Sequence, residues 1–201
     1  MRLVSFATSE GPRAGLLRED RVYDIGAEAF AAGVRAADRT IFRLLQGGLL
    51  DVVHPEDEDG VPVEELELLA PIARPGKIIC IGLNYRAHAE EQGKEPHETP
   101  TIFAKFANAL RAPGATVELP GFSDRVDYEA EVAFVIADRC KDVPVDEAMS
   151  HVGGYTLFND LSARDFQFKT PQWMPGKVFD GSAPCGPALV TPDEAGPHDA
   201  I

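Results

Sequence analysis

The sequence predicts an α+β fold rich in β-strands, with a small N-terminal α+β subdomain ahead of a larger domain. Short apolar stretches typical of strands alternate with glycine- and proline-rich turns, and the helical stretches between them are short and irregularly placed. This pattern lacks the regular strand–helix alternation of an α/β protein. Pro71 and Pro75 mark the change from one part to the other. We therefore assign residues 1–70 to the N-terminal domain and 71–201 to the second domain.

The N-terminal domain is predicted to contain two strands followed by two helices. The strands surround a turn rich in glycine and proline, and the Gly47-Gly48 pair ends the second helix. The predicted bounds are 1–6 and 16–23 for the strands, and 27–37 and 40–46 for the helices. An acidic loop is expected at 54–60.

The second domain is predicted to contain six strands and three short helices. The longest strand pattern covers 128–137, and Asn84 is a candidate N-cap for the first helix. The strands are expected at 77–82, 101–106, 116–119, 128–137, 153–159 and 186–190, and the helices at 84–95, 146–151 and 161–168.

Composition excludes several classes of protein. The 201 residues include 33 acidic and 19 basic side chains, and the formal charge of −14 argues against nucleic-acid binding, which needs a basic surface. No apolar run reaches membrane-spanning length and no secretory signal pattern begins the chain, so we expect a cytoplasmic protein. The three cysteines form no CxxC pair, which argues against a zinc cluster or a disulfide framework.

Two glutamates in the strand predicted at 128–137 suggest a metal site. Residues two apart in a strand share a face, so Glu129 and Glu131 lie together, and their face continues into apolar residues and is expected to be covered. The opposite face is apolar and is predicted to be core. Asp160 follows the strand predicted at 153–159. Three carboxylates without nearby histidine or cysteine suit Mg²⁺ or Mn²⁺, with Ca²⁺ as a further option. The alternatives are a solvated strand end for the glutamates and a helix N-cap role for Asp160.

Cationic and polar side chains near these carboxylates could bind an anion. Arg164 and Gln167 are three apart, as neighbours on a helical turn, and Lys177 follows in a loop shaped by glycine and proline. His88 and Glu91 also have helical spacing, and a carboxylate beside imidazole makes a general base. For each of these residues an exposed surface side chain is the alternative, and for the His88–Glu91 pair the sequence alone favours it.

Four motifs resemble those of the fumarylacetoacetate hydrolase superfamily. In order, they are Gly-Leu-Asn-Tyr-Arg-Ala-His at 82–88, Asp-Tyr-Glu-Ala-Glu at 127–131, the segment 153–165 that contains Phe-Asn-Asp-Leu-Ser-Ala-Arg-Asp, and Gly-Lys-Val-Phe-Asp at 176–180. The motifs are spread over residues 76–190, and residues 1–70 resemble the small leading domain of bacterial members.

The resemblance implies a mixed β-sandwich roll, a homodimer and a bound Mg²⁺ or Mn²⁺. It assigns the metal to Glu129, Glu131 and Asp160. It assigns catalysis to His88 and Glu91, as a water-activating pair on a lid helix, and to Lys177, which contacts substrate. It assigns further substrate binding to Tyr85, Arg164 and Gln167. Family members generally continue for roughly 80 residues beyond this chain's end. We therefore expect the chain to be a fragment or a truncated product with an incomplete pocket.

Three functions remain open from the sequence. The first is metal-dependent hydrolysis of a C–C bond in small anionic acylpyruvate-like 2,4-dioxo acids through a metal-stabilised enolate. The second is isomerisation, decarboxylation or hydration of related 2-oxo or hydroxymuconate-type acids, which would use the same intermediate. The third is an inactive binding module that keeps the fold.

Overall fold

The computed structural model describes residues 1–31, 33–35, 39–50, 60–85, 93 and 99–195 of the chain. Its strand-rich architecture confirms the predicted fold class. Within the described part of the chain, an eight-stranded sheet contains most of the long strands, and six further strands form three two-stranded sheets. Among the described residues, no helix is long and apolar enough to cross a membrane.

The chain begins with three antiparallel strands. These are β1 (Arg2–Phe6), β2 (Arg13–Arg18) and β3 (Arg21–Tyr23). The prediction of a single strand over 16–23 is wrong, because the chain reverses between Arg18 and Arg21, which pair with each other. Glu19 occupies this turn with a positive φ of 53°. The Glu-Asp turn carries no glycine or proline, and so it escaped detection.

Two helices follow the N-terminal strands. Helix α1 covers Ile25–Ala31 and therefore begins two residues before the predicted bound. Residues 33–35 are not helical, although the prediction included them. Helix α2 covers Ile41–Gln46 and begins one residue after the predicted bound, because Thr40 is its N-cap. The Thr40 side chain accepts a hydrogen bond from the Arg43 amide, and Gly47 is the C-cap. The acidic loop predicted at 54–60 lies outside the described residues, apart from Gly60.

The second half consists of strands joined by single helical turns. The strands are β4 (Val61–Pro62), β5 (Leu68–Leu69), β6 (Ile78–Gly82), β7 (Thr101–Lys105), β8 (Leu110–Arg111), β9 (Val126–Asp127), β10 (Ala130–Ile136), β11 (Val152–Asn159), β12 (Ser162–Ala163), β13 (Ala183–Pro184) and β14 (Leu189–Val190). The helical turns are α3 (Arg164–Gln167), α4 (Met174–Lys177) and α5 (Pro192–Ala195), with 3₁₀ turns at Val63–Glu65, Ala107–Ala109 and Ala148–His151.

Several predicted bounds differ from these elements. Residues 116–119 form no strand, and the helix predicted at 146–151 is a 3₁₀ turn preceded by turns. The strand predicted at 186–190 is reduced to its last two residues. Of the helix predicted at 84–95, Asn84, Tyr85 and Gly93 are described and are not helical, and the remainder lies outside the described residues.

The large sheet joins the two halves of the chain. Its order is β10-β11-β14-β1-β2-β3-β4, with β5 also paired to β1. Strand β14 pairs with β1 through Leu189 and Leu3, and with β11 through Val190 and Tyr155. Leu3, Leu44 and Leu189 are fully buried in one apolar cluster. The sheet and this cluster therefore cross the boundary predicted at residue 70.

The face of strand β10 that was predicted as core is largely exposed, and the face that carries Glu131 is the better covered one. Tyr128, Phe134 and Ile136 are 72%, 48% and 51% exposed. On the other face, Ala133 packs against the cluster that contains Phe158, and Val135 packs against the cluster around Leu3. Both faces of this strand are apolar beyond its first residues, so alternation alone could not identify the covered one.

Candidate metal centre

Two neighbouring strands bring the three predicted metal ligands together. Glu129 immediately precedes β10, Glu131 lies within β10, and Asp160 immediately follows β11. The strands are antiparallel, with Ala130 opposite Asn159, and the Asp160 amide donates to the Glu129 carbonyl at 3.0 Å. One carboxylate oxygen from each of the three residues lies within 4.8 Å of the others. The structure therefore forms the predicted carboxylate cluster.

Asp160 is fully buried between two lysines. The Lys105 ammonium lies 2.7 Å from its Oδ1, and the Lys177 ammonium lies 2.8 Å from its Oδ2. Both lysines are about 1% exposed. Burial lowers the pKa of Lys105, while Asp160 opposes that shift. The alternative in which Asp160 caps a helix is not what the structure shows, because Ala163 is the N-cap of α3.

Glu129 is held by cations on both oxygens. Lys177 Nζ lies 2.9 Å from Oε2, and Arg164 Nη1 lies 2.6 Å from Oε1. Burial acts to raise the pKa of Glu129, but Lys177 and Arg164 outweigh it and the pKa is lowered. Arg164 also donates to Gln167 Oε1 at 3.0 Å and, through Nε and Nη2, to Asp127 Oδ2. The predicted Arg164–Gln167 pair thus lies beside the carboxylates.

Glu131 differs from the other two carboxylates. Among the residues that the structure describes, none forms a hydrogen bond or an ion pair with its side chain. Burial, with the charges of Asp160 and Glu129, raises its pKa to about 7. Its surroundings therefore disfavour the ionised form of Glu131.

A hard divalent cation fits this donor set. All three candidate ligands are carboxylates, and Mg²⁺, Mn²⁺ and Ca²⁺ prefer oxygen ligands. A cation beside Glu131 would offset the repulsion that raises its pKa. Glu129, Glu131 and Asp160 would hold such an ion, and three protein ligands would leave positions for water and substrate. The chemistry of the residues therefore agrees with the divalent metal that the resemblance implies.

A cavity of about 700 Å³ opens onto the cluster. Its wall combines Glu129, Glu131, Arg164 and Lys177 with aromatic side chains, including Tyr85. The hydroxyl of Tyr85 accepts a hydrogen bond from the Val132 amide at 3.4 Å. The cavity therefore offers cations and carboxylates at one end and apolar surface beside them.

A second part of the wall is a packed aromatic pair. The Phe103 and Trp173 rings meet edge to face with centroids 5.6 Å apart, and Lys177 Nζ lies 5.1 Å from the Phe103 centroid. Gly82 lies against the indole, because a Cβ at this position would be 2.3 Å from Trp173 Cζ3. The glycine is needed for this close approach.

Two of the predicted site residues lie outside the described part of the chain, and two contacts of the site were not predicted. His88 and Glu91 lie outside the described residues. Sequence reasoning missed Lys105 and Asp127, which contact Asp160 and Arg164. The available signal for Lys105 was a lysine that ends an otherwise apolar strand, where a charged side chain needs a buried partner.

Residues 77–201 match the family model described as fumarylacetoacetate (FAA) hydrolase, C-terminal. The chain belongs to the fumarylacetoacetate hydrolase family. Residues 1–71 match the model described as Rv2993c-like, N-terminal. Together the two matches confirm the resemblance identified from the four motifs.

Relatives with assigned names differ in the reaction that each name gives. The chain is 40% identical over 206 residues to the mitochondrial oxaloacetate tautomerase fahd2 of Xenopus laevis. The matched region covers 99% of this chain and 65% of the relative. It is 33% identical to 5-carboxymethyl-2-hydroxymuconate delta-isomerase from Mycobacterium smegmatis, with a TM-score of 0.72 over 96% of this chain and 67% of that structure. Maleylpyruvate hydrolase from Sphingobium gives 26% identity and a TM-score of 0.73, over 98% and 70%. The chain thus spans about two thirds of the length of the curated relatives it matches, and for the Xenopus protein this share is 65%.

Proposed function

We propose that this protein binds Mg²⁺ or Mn²⁺ through Glu129, Glu131 and Asp160 and converts small anionic 2-oxo acids through an enolate. The observation that carries the proposal is the cluster of three carboxylates within 4.8 Å of one another, bordered by cations, at the end of a cavity. A bound divalent cation would supply Lewis acidity to the 2-oxo acid end of the substrate.

The chain's own side chains supply charge for an anionic substrate. Four carboxylates, those of Asp127, Glu129, Glu131 and Asp160, face the cations Lys105, Lys177 and Arg164. The carboxylates exceed the cations by one, and a divalent ion would give the centre a net positive charge. Such a centre would attract an anion even though the whole chain carries −14.

Tautomerisation of a 2-oxo acid such as oxaloacetate is the reaction that these residues support best. The C–H bond next to the 2-oxo carbonyl loses its proton, and the carbonyl oxygen gains one. No C–C bond is broken. Lys177 and Arg164 line the cavity and can hold the substrate's carboxylates. The 40% identity to an oxaloacetate tautomerase supports this reaction.

Hydrolysis of a C–C bond in acylpyruvate-like acids is the second candidate. Water would add to the distal carbonyl, and the C–C bond would break with its electron pair passing to the 2-oxo acid fragment as an enolate. This reaction needs a base that removes a proton from water, and the family resemblance gives His88, oriented by Glu91, that role. The structural match to a maleylpyruvate hydrolase favours it.

Parallel assays with oxaloacetate and an acylpyruvate would distinguish the two reactions. The loss of enol absorbance reports tautomerisation, and the release of carboxylic acid reports hydrolysis. A matched Mn²⁺ solution without protein corrects for the reaction of the free metal. We expect the wild-type protein to turn over substrate, a chelator to abolish this turnover, and added Mn²⁺ to restore it. The Glu131→Gln variant should show no turnover. Undiminished turnover in chelator, or by Glu131→Gln, would refute the proposal.

The homodimer and the cytoplasmic location expected from the sequence remain proposals. Sedimentation of the purified chain would test the first, and fractionation of cells that express it would test the second. A purely monomeric protein, or one found only in another compartment, would contradict the respective expectation.

A further inference from the structure

We infer that Lys105 is a permanent internal counter-charge for Asp160, a positioning residue that frees the Lys177 ammonium to bind an anionic substrate once a divalent cation occupies the carboxylates. This inference rests on the proposed function. It concerns a lysine that neither the motifs nor the resemblance singled out.

The two lysines hold opposite oxygens of the same buried carboxylate. Lys105 binds Asp160 Oδ1 and Lys177 binds Oδ2, at 2.7 and 2.8 Å. Lys177 also binds Glu129 Oε2 at 2.9 Å. The Lys177 ammonium therefore occupies carboxylate oxygens that a metal ion would need, and a divalent cation would repel it.

The two lysines differ in their position relative to the cavity. The Lys105 side chain is fully buried and does not line the cavity, whereas Lys177 does. Lys105 Nζ also donates to the backbone carbonyl of Lys177, which accepts a second hydrogen bond from Ser182 Oγ at 3.0 Å. The backbone carbonyl of Lys177 is thus held by two hydrogen bonds, and Lys177 lines the cavity. Lys177 is the cation that can change partners.

The backbone of Asp160 is held by hydrogen bonds that involve neither lysine. Its amide donates to the Glu129 carbonyl at 3.0 Å, and its own carbonyl accepts from Ser162 Oγ at 2.9 Å. What Lys105 adds is charge compensation that remains in place when Lys177 leaves. A buried carboxylate that lost both cations would be left with an uncompensated charge.

These roles give Lys105 opposite effects on two ligands. Removing its charge increases the negative potential at Asp160, so a divalent cation should bind more tightly. The same loss of positive charge draws the Lys177 ammonium more strongly to Asp160 and makes the centre less positive, so an anion in the cavity should bind more weakly. General damage to the fold would instead weaken both ligands together.

The test compares wild type, Lys105→Met and Lys177→Met by titration calorimetry. Mn²⁺ is the first probe, and oxalate added to the Mn²⁺-saturated protein is the second, since it presents the two oxygens of a 2-oxo acid. For Lys105→Met we expect Mn²⁺ affinity to rise by roughly 5-fold or more and oxalate affinity to fall by a similar factor, both within the usual range of coupling between sites. Lys177→Met should also bind Mn²⁺ more tightly and should lose oxalate binding.

Each other outcome has a defined meaning. If Lys105→Met binds both probes more weakly, or both as wild type does, Lys105 has no such role and the inference is wrong. A wild-type chain that does not bind Mn²⁺ overturns the proposed function itself. If Lys105→Met does not fold in chelator, the inference requires that Mn²⁺ present during refolding recovers it. Failure under both conditions contradicts the inference, and Leu189→Ala, in the distant apolar cluster, controls for simple loss of stability.

Discussion

Arg164 Nη1 lies 2.6 Å from Glu129 Oε1, and this contact links the arginine to a candidate metal ligand. The same guanidinium holds Asp127 and Gln167. A lysine could not keep these partners at once, because a single ammonium lacks the planar fork of donors. Arg164, which was predicted only as a substrate ligand, therefore also holds the carboxylate of a candidate metal ligand.

Replacing Arg164 should therefore weaken anion binding at this centre. We expect Arg164→Met to lower the affinity of the Mn²⁺-loaded protein for oxalate by roughly 10-fold or more, since hydrogen bonds to charged groups contribute about 1.5–3 kcal/mol. Calorimetric titration would measure the change. Arg139→Met, at an exposed arginine, is the matched control. If Arg164→Met binds oxalate with the affinity of wild type, Arg164 does not bind the anion.

Mn²⁺ affinity should depend on pH through Glu131. Its pKa is raised from an ordinary value of 4.5 to about 7. The folded, metal-free protein therefore keeps this proton up to a higher pH than the unfolded chain does. The stabilising effect of that proton is complete below the ordinary value and is lost as the pH rises through about 7. A metal ion must displace the same proton, so affinity should rise up to about pH 7 and level off above it.

Titration of Mn²⁺ at several pH values would follow this effect. Below the raised pKa we expect about a tenfold loss of affinity for each pH unit, because one proton competes with the metal. Glu131→Gln provides the control, because its remaining weak binding should lack this step. A flat profile for wild type between about pH 5 and 7 would contradict the assignment of Glu131 as a ligand.

A methyl group on Gly82 should displace the aromatic wall of the cavity. The added Cβ would lie 2.3 Å from Trp173 Cζ3, so the indole must move. Trp173 is the chain's single tryptophan, and its emission therefore reports the change directly. We expect Gly82→Ala to shift the emission and to reduce stability by about 1–3 kcal/mol, as overpacking does.

The control for this substitution is Gly76→Ala. A Cβ at Gly76 meets no atom within 4 Å. The emission spectrum and the stability of Gly76→Ala should therefore resemble those of wild type. An unaltered spectrum in Gly82→Ala would show that the ring does not pack against residue 82 as described.

The three cysteines should differ sharply in reactivity towards a thiol reagent. Burial, with the charges of Asp160 and Glu131, raises the pKa of Cys80 to about 12, and burial raises that of Cys185 to about 11. Cys140 is exposed. Because the thiolate is the reactive form, we expect one fast-reacting thiol in the folded protein near neutral pH. Cys140→Ser should abolish this reaction, and rapid labelling of Cys80 would contradict the described burial.

The carboxylate cluster was predictable from sequence because its geometry is local to two strands. Glu129 and Glu131 are two residues apart, and Asp160 follows the neighbouring strand, so pairing of β10 with β11 is enough to assemble them. The covered face of β10 was not predictable, since that face depends on packing against distant clusters around Leu3 and Phe158.

The role of Lys105 was also beyond the sequence. Its partner Asp160 is 55 residues away, and no spacing rule relates the two. The turn at Glu19 was missed for the opposite reason, because the signal is local but carries neither glycine nor proline. Long-range charge pairing and turns without glycine or proline are thus among the features that the sequence did not predict.

The most direct test of this account is the binding of Mn²⁺ to wild type and to Glu131→Gln, measured by calorimetry at about pH 8. We predict one ion per wild-type chain and an affinity at least about 100-fold lower for Glu131→Gln, a larger loss than the 10–100-fold typical of residues that only orient ligands. Glu147→Gln, at an exposed acid, should bind as wild type does. Equal binding by wild type and Glu131→Gln, or no binding by wild type, would contradict the assignment of the carboxylate cluster as a metal centre.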